Sequence, residues 1–136
     1  AKTDFRVKEA AEKEPLECGV IYIAPADYHL LVESDHTLSL DDSEKVNFSR
    51  PSIDVTFTSA ALAYGSNMAA LLLSGANTDG TEGLIDVHGA GGTTAVQDPV
   101  TADVDYMPRQ AIQLAPVDII LQPHEMATFI NEMAGV

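Results

Sequence analysis

Hydrophobic and polar positions along the 136-residue chain change period twice, and the changes divide it into three stretches. Residues 1–17, "AKTDFRVKEAAEKEPLE", alternate only weakly around Phe5 and Val7 before meeting Pro15, the pattern of an edge segment or connector. "GVIYIAP" is a short β-branched and aromatic run between Gly19 and Pro25 and predicts a strand. "HLLVES" and "HTLSL" predict two more, joined as a hairpin across the polar Ser34–Asp35 pair. From Ser52 the period becomes helical: Ile53, Phe57, Ala60, Ala61 and Tyr64 share a face, with Pro51 or Ser52 at the start and Gly65 past the end.

Beyond that helix, "MAALLLS" is apolar without alternation, as a strand covered on both faces is. Helix 80–88, strand "GTTAVQ", helix "MPRQAIQL", strand "VDIIL" and a last helix after Pro123 follow. Strand and helix alternate throughout this half, which favours a parallel sheet with helices on its faces. The expected fold class is therefore α/β, with residues 1–136 as a single domain. No internal repeat or low-complexity segment interrupts it.

Composition narrows the function classes. Seven basic residues against twenty-one acidic ones give a net charge of −14, and four of the seven bases lie before residue 14. Such a surface repels phosphate backbones, so nucleic acid is a poor partner and anionic membranes are little better. No apolar run approaches the roughly 18 residues that a membrane span requires. One cysteine, Cys18, precludes an internal disulfide and a CxxC metal pair, which fits a cytoplasmic location. The four histidines lack shared metal-ligand spacing, so no metal and no cofactor are expected. The chain opens on Ala1 within a charged run, which reads as the inside of a longer protein.

The segment with the clearest chemistry is "LLLSGANTDGTEGL", residues 71–84, where a buried strand ends in a turn carrying Asp79. Function gathers at the carboxyl edges of such sheets, because loops and helix N-termini converge there. Gly75 and Gly80 allow sharp turning, and the amides at the following helix start stabilise an anion. Two readings of Asp79 stay open on these residues. It caps its own helix, with Glu82 at capping-box spacing, or it is a catalytic carboxylate that orients a histidine.

Five segments taken in order resemble the C-terminal domain of the chemotaxis-type protein-glutamate methylesterases, the CheB family. They are "YIAPADYHLLV" (22–32), "NFSRPSIDVTF" (47–57), "LLLSGANTDGTEGL" (71–84), "AGGTTAVQDPVTADVDYMPRQAI" (90–112) and "VDIILQPHEM" (117–126). The likeness runs over about residues 6–133. It implies a three-layer α/β/α doubly wound, mostly parallel sheet with a short β-hairpin. It also implies hydrolysis of γ-glutamyl methyl esters on methylated chemoreceptor cytoplasmic helices, with release of methanol and glutamine deamidation as a related activity. An upstream receiver domain is a further partner that the family suggests.

By the same resemblance Asp79 is the catalytic aspartate, and the backbone amide of Ala76 donates to the oxyanion where relatives carry Met in a T-G-M-G turn. His29, Arg50, Ser74, Gly75, Gly80 and Met107 are placed beside the site. The family's nucleophile lies in a G-x-S-x-G turn and its base in a Q-H pair, both upstream of the first matching segment. None of the eight serines here has glycine two residues to each side, so the triad's serine and histidine are expected outside this chain, in a missing N-terminal third. A sheet without those strands exposes edges and apolar helix faces.

His29, in "APADYH", is distinct from the family's base histidine and reads as a hydrogen-bonding residue rather than a proton carrier. Arg50 either steers an acidic segment or pairs with a carboxylate such as Asp54, and Arg109 pairs with one such as Asp105. The loop "QDPVTADVDYMP" is long enough to wall a cleft. A different class of function, a non-catalytic α/β module that binds receptors without a nucleophile, fits the same residues.

Overall fold

A computed structural model describes residues 5–135. Four short strands lead: β1 (Arg6–Glu9), β2 (Val20–Ile23), β3 (His29–Val32) and β4 (Leu38–Asp41). β1 and β2 pair in parallel, so of the two alternatives, edge segment or connector, part of the segment is an edge strand, with Phe5 and Val7 alternating with polar neighbours. β3 and β4 form the expected antiparallel hairpin, with Val32 opposite Leu38. Ala10, Leu30 and Leu38 make a small core beneath it.

Next comes α1 (Ile53–Tyr64), which starts at Ser52 and ends at Gly65 as the sequence predicts. Gly65 closes the helix with its N–H on the Ala61 carbonyl. The remaining elements alternate: β5 (Ala69–Leu72), α2 (Thr81–Gly89), β6 (Thr93–Gln97), α3 (Tyr106–Leu114), β7 (Ile119–Leu121) and α4 (Met126–Ala134). β5, β6 and β7 lie side by side in that order, both pairs parallel.

The two faces of this sheet are covered by different helices, which makes the three layers. Ala70, Leu72 and Val96 point to one side and pack with Ala61, Leu84, Val87, Met107 and Ala111 from α1, α2 and α3. Ala69, Leu71 and Ala95 point to the other side and meet Leu121, Phe129 and Met126, so α4 seals the opposite face. Because both faces are buried, β5 and β6 lack polar alternation. α1 and α2 approach closely because Gly83 faces Phe57, where an added Cβ would come within 2.6 Å of the Phe57 Cβ.

The described strands form two separate parallel sheets rather than one. A groove of about 450 Å³ is lined by Val20 and Tyr22 of β2, Ala69 and Leu71 of β5, and Phe129, Ile130 and Met133 of α4. Both β2 and β5 therefore present one edge without a strand partner among the described residues, and apolar side chains line the groove between those edges. No helix among the described residues is long and apolar enough to cross a membrane.

Candidate active site

The turn after β5 holds the carboxylate singled out above, but its side chain does not cap the helix that follows. Gly80 occupies the N-cap position of α2 in a left-handed conformation, and no side chain caps it locally. Asp79 is instead turned toward the start of α1 and is 2% exposed, so it does not face an open cleft. Its Oδ1 accepts from Ser52 Oγ at 2.8 Å, the Asp54 N–H at 3.0 Å and Asn47 Nδ2 at 3.1 Å. Its Oδ2 accepts from the Ile53 N–H at 2.6 Å.

Asp54 returns the favour in the opposite direction. Its Oδ1 accepts from the Gly80 N–H at 2.9 Å and the Gly83 N–H at 2.7 Å, and its Oδ2 accepts from Asn47 Nδ2 at 2.7 Å. Each helix start is thus capped by an acid that belongs to the other. The amides at both N-termini carry partial positive charge and offset the proximity of two buried carboxylates. Burial nevertheless lifts the Asp54 carboxyl above the usual carboxylate range, against the Gly83 and Asn47 bonds that lower it; the charge of Asp79 adds to the rise.

His29 is 1% exposed; its Nδ1 accepts from the Ser52 N–H at 3.1 Å and its Nε2 faces the Glu44 carbonyl at 2.7 Å. Those partners assign Nδ1 as acceptor and Nε2–H as donor, so both ring nitrogens are engaged in holding α1 to the loop before it. His29 sits one residue from Asp79 in the network, through Ser52, and has no nitrogen to spare for proton transfer.

Among the described residues Arg50 bonds neither Asp54 nor any other carboxylate. Its Nη1 donates to the Asp42 and Ser43 carbonyls at 3.2 and 3.1 Å, tying down residues 42–50, while the Asp54 carboxylate is engaged by the Gly80 and Gly83 amides and by Asn47. Arg109 does pair as expected, with Asp105 at 2.8 Å.

The rest of the turn is fastened to the long loop after β6. Ser74 Oγ bridges the Val104 carbonyl and N–H at 3.1 and 3.0 Å, the Gly75 N–H donates to the Val104 carbonyl, and the Met107 N–H donates to the Gly75 carbonyl. The loop therefore walls one side of the turn. Met107 is buried in the main core over Gly75, so it supports the turn from below instead of lining it. Ala76, by contrast, is exposed, and its N–H has no acceptor among the described residues.

Sequence reasoning missed Asn47 and Asp54. The signal was present in "NFSRPSID", where an acid two residues after a helix cap is buried, but the α2 amides and the Asp79 carboxylate that it meets lie 25 or more residues away.

The family model for CheB methylesterase matches residues 1–130. The chain belongs to that family. A Leptospira interrogans protein provisionally named protein-glutamate methylesterase/protein-glutamine glutaminase is 46% identical over 124 residues, covering 91% of this chain and 64% of that protein. A Symbiobacterium thermophilum protein named protein-glutamate methylesterase/protein-glutamine glutaminase is 33% identical over 129 residues, covering 95% of this chain and 36% of its own length. The crystal structure of the Thermotoga maritima CheB methylesterase catalytic domain superposes with a TM-score of 0.88 at 35% identity, covering 93% of this chain and 68% of that one. The chain thus spans about two thirds or less of these relatives, and the CheB-family α/β fold is what it shares with them.

Proposed function

We propose that this chain supplies the aspartate and the oxyanion turn of a protein-glutamate methylesterase, acting on γ-glutamyl methyl esters of methylated chemoreceptor cytoplasmic helices and deamidating glutamine as a related activity. Residues 1–136 form part of one catalytic domain in this reading. The nucleophilic serine and the base histidine come from polypeptide preceding Ala1, which fills the groove between β2 and β5. A receiver domain further upstream and a cytoplasmic location complete the proposal.

The single observation that carries it is the state of the Asp79 carboxylate. Three donors converge on Oδ1 and only one on Oδ2. Among the described residues Oδ2 is the less heavily engaged oxygen, and by lone-pair count it has the capacity to accept one further donor, such as an imidazole N–H. Family membership and the names carried by relatives support the same reading.

Serine Oγ attacks the ester carbonyl while histidine takes its proton, and the tetrahedral oxyanion is held by donors that include the exposed Ala76 N–H. Methanol leaves with the proton from the imidazolium. Water then repeats the sequence on the acyl-enzyme and frees glutamate. Asp79 keeps the imidazole in one tautomer and stabilises its charged form.

The test is to express the gene with its upstream codons and assay methanol release from methylated receptor. Asp79→Asn is expected to lower turnover by about 10⁴-fold with the fold intact. Wild-type turnover in that variant refutes the assignment; receptor binding without any hydrolysis in the unmutated protein favours the non-catalytic module.

A further inference from the structure

We propose that Asp54, with the Asn47 amide, is a positioning device for the hydrolytic reaction, an inference that rests on the reading of Asp79 as the triad aspartate. Together they hold the Asp79 carboxylate so that Oδ2, and not Oδ1, is the oxygen left to accept the histidine.

Each polar group of the cluster must satisfy its hydrogen-bonding capacity. Asn47 has two N–H donors on one nitrogen, and they reach Asp54 Oδ2 at 2.7 Å and Asp79 Oδ1 at 3.1 Å. Only the amide nitrogen suits this position, because the amide oxygen would face two carboxylates. Asp54 also grips the turn from the other end: Gly80, whose N–H it binds, is the residue directly after Asp79. Asp54 therefore acts on Asp79 by three routes, namely its own N–H to Oδ1, its carboxylate through Asn47 to Oδ1, and its carboxylate on the Gly80 amide. Ser52 Oγ adds a further donor to the same oxygen. Rotation of the Asp79 carboxyl, which would exchange its two oxygens, breaks the Oδ1 contacts together.

Helix capping alone does not call for this arrangement. The Gly80 and Gly83 amides are satisfied by Asp54 Oδ1, which leaves Oδ2 for another donor; it accepts from Asn47, a side chain that also donates to Asp79. The Asn47–Phe48 turn that presents the amide holds two successive residues at positive φ, 52° and 64°. Both are non-glycine residues in a region that L side chains adopt at a cost. Asn77 pins that turn to the Asp79 loop, through Ser49 Oγ at 3.0 Å.

The experiment uses the protein expressed with its upstream codons, and its decisive variant is Asp54→Asn. The new amide oxygen still accepts from Gly80 and Gly83, but its NH2 group then meets the Asn47 NH2 group. Asn47 must flip, which turns its oxygen toward Asp79 Oδ1. The expected result, per folded active site, is a kcat lowered about 10- to 100-fold with KM unchanged. The acid limb of the kcat/KM profile should also move to lower pH, because a misaligned Asp79 stabilises the imidazolium less.

Asn47→Ala, which keeps the Asp54 bonds to α2, should move both readouts in the same direction and serves if Asp54→Asn fails to fold. Wild-type kcat and an unmoved acid limb in the folded variant overturn the positioning role, whatever the stability change. Asp79→Asn assayed alongside separates the two failures: if it too turns over at the wild-type rate, the triad reading itself has fallen.

Discussion

At the scale of single residues, the site is governed by saturation of buried polar atoms. Asp79 and Asp54 are 2% and 8% exposed, and buried carboxylates persist only when hydrogen-bonded or neutralised. A sequence reading places Asp79 in a turn next to a helix start and suggests a cap for that helix. Capping does occur, but across the pair, since left-handed Gly80 rather than Asp79 occupies the N-cap of α2. Asp54 makes the stability of the chain depend on pH in a definite direction. Its carboxyl, lifted by burial, holds a proton more tightly folded than unfolded, so its contribution is present below the ordinary carboxylate pKa and is lost as pH rises through the raised value. Asp54→Asn, which cannot ionise, should show a stability deficit relative to wild type that shrinks between about pH 4 and about pH 7. Urea midpoints at both pH values check this, and a deficit that stays constant or widens contradicts the raised carboxyl.

At the scale of elements, hydrophobic periodicity found nearly every strand and helix because each buries a face set by local spacing. α1 begins and ends where Ser52 and Gly65 say it should. The ends of β5 and β7 are shorter than their apolar runs, since Leu73 and Val117 lack the parallel partners that β-pairing requires. β1 was legible only as one of two alternatives, edge segment or connector, because its weak alternation does not fix it as a strand without β2 beside it. The junction of β5 and α2 is the tightest element boundary. Gly80 has φ of 99°, and a Cβ there would lie 2.5 Å from Leu72 Cδ1. Gly80→Ala is expected to destabilise the fold by about 2–4 kcal/mol, from left-handed strain plus overpacking. Chemical denaturation measures it; a change below about 0.5 kcal/mol, the level of an ordinary surface substitution, contradicts the geometry.

At the scale of the whole molecule, charge and sheet edges dominate. A net charge of −14 on 136 residues repels itself in the compact state, and only a few ion pairs are formed among the described residues. Added salt screens that repulsion more than it weakens exposed pairs, so thermal melts are expected to shift up by a few degrees between low and near-molar NaCl. A downward shift would show that surface pairs outweigh net repulsion. Fold class, the order of the α/β elements, the helix caps at Ser52 and Gly65, and the family were determined by the sequence itself, because local periodicity and short ordered motifs carry them. Tertiary structure alone decided that Asp79 serves α1 and Asp54 serves α2, that Arg50 binds carbonyls, and that β2 and β5 are left with open edges. The helix amides that the two carboxylates bind lie 25 or more residues away, the carbonyls that Arg50 binds only seven or eight, and in each case a buried polar atom takes whichever partner the packing brings within reach.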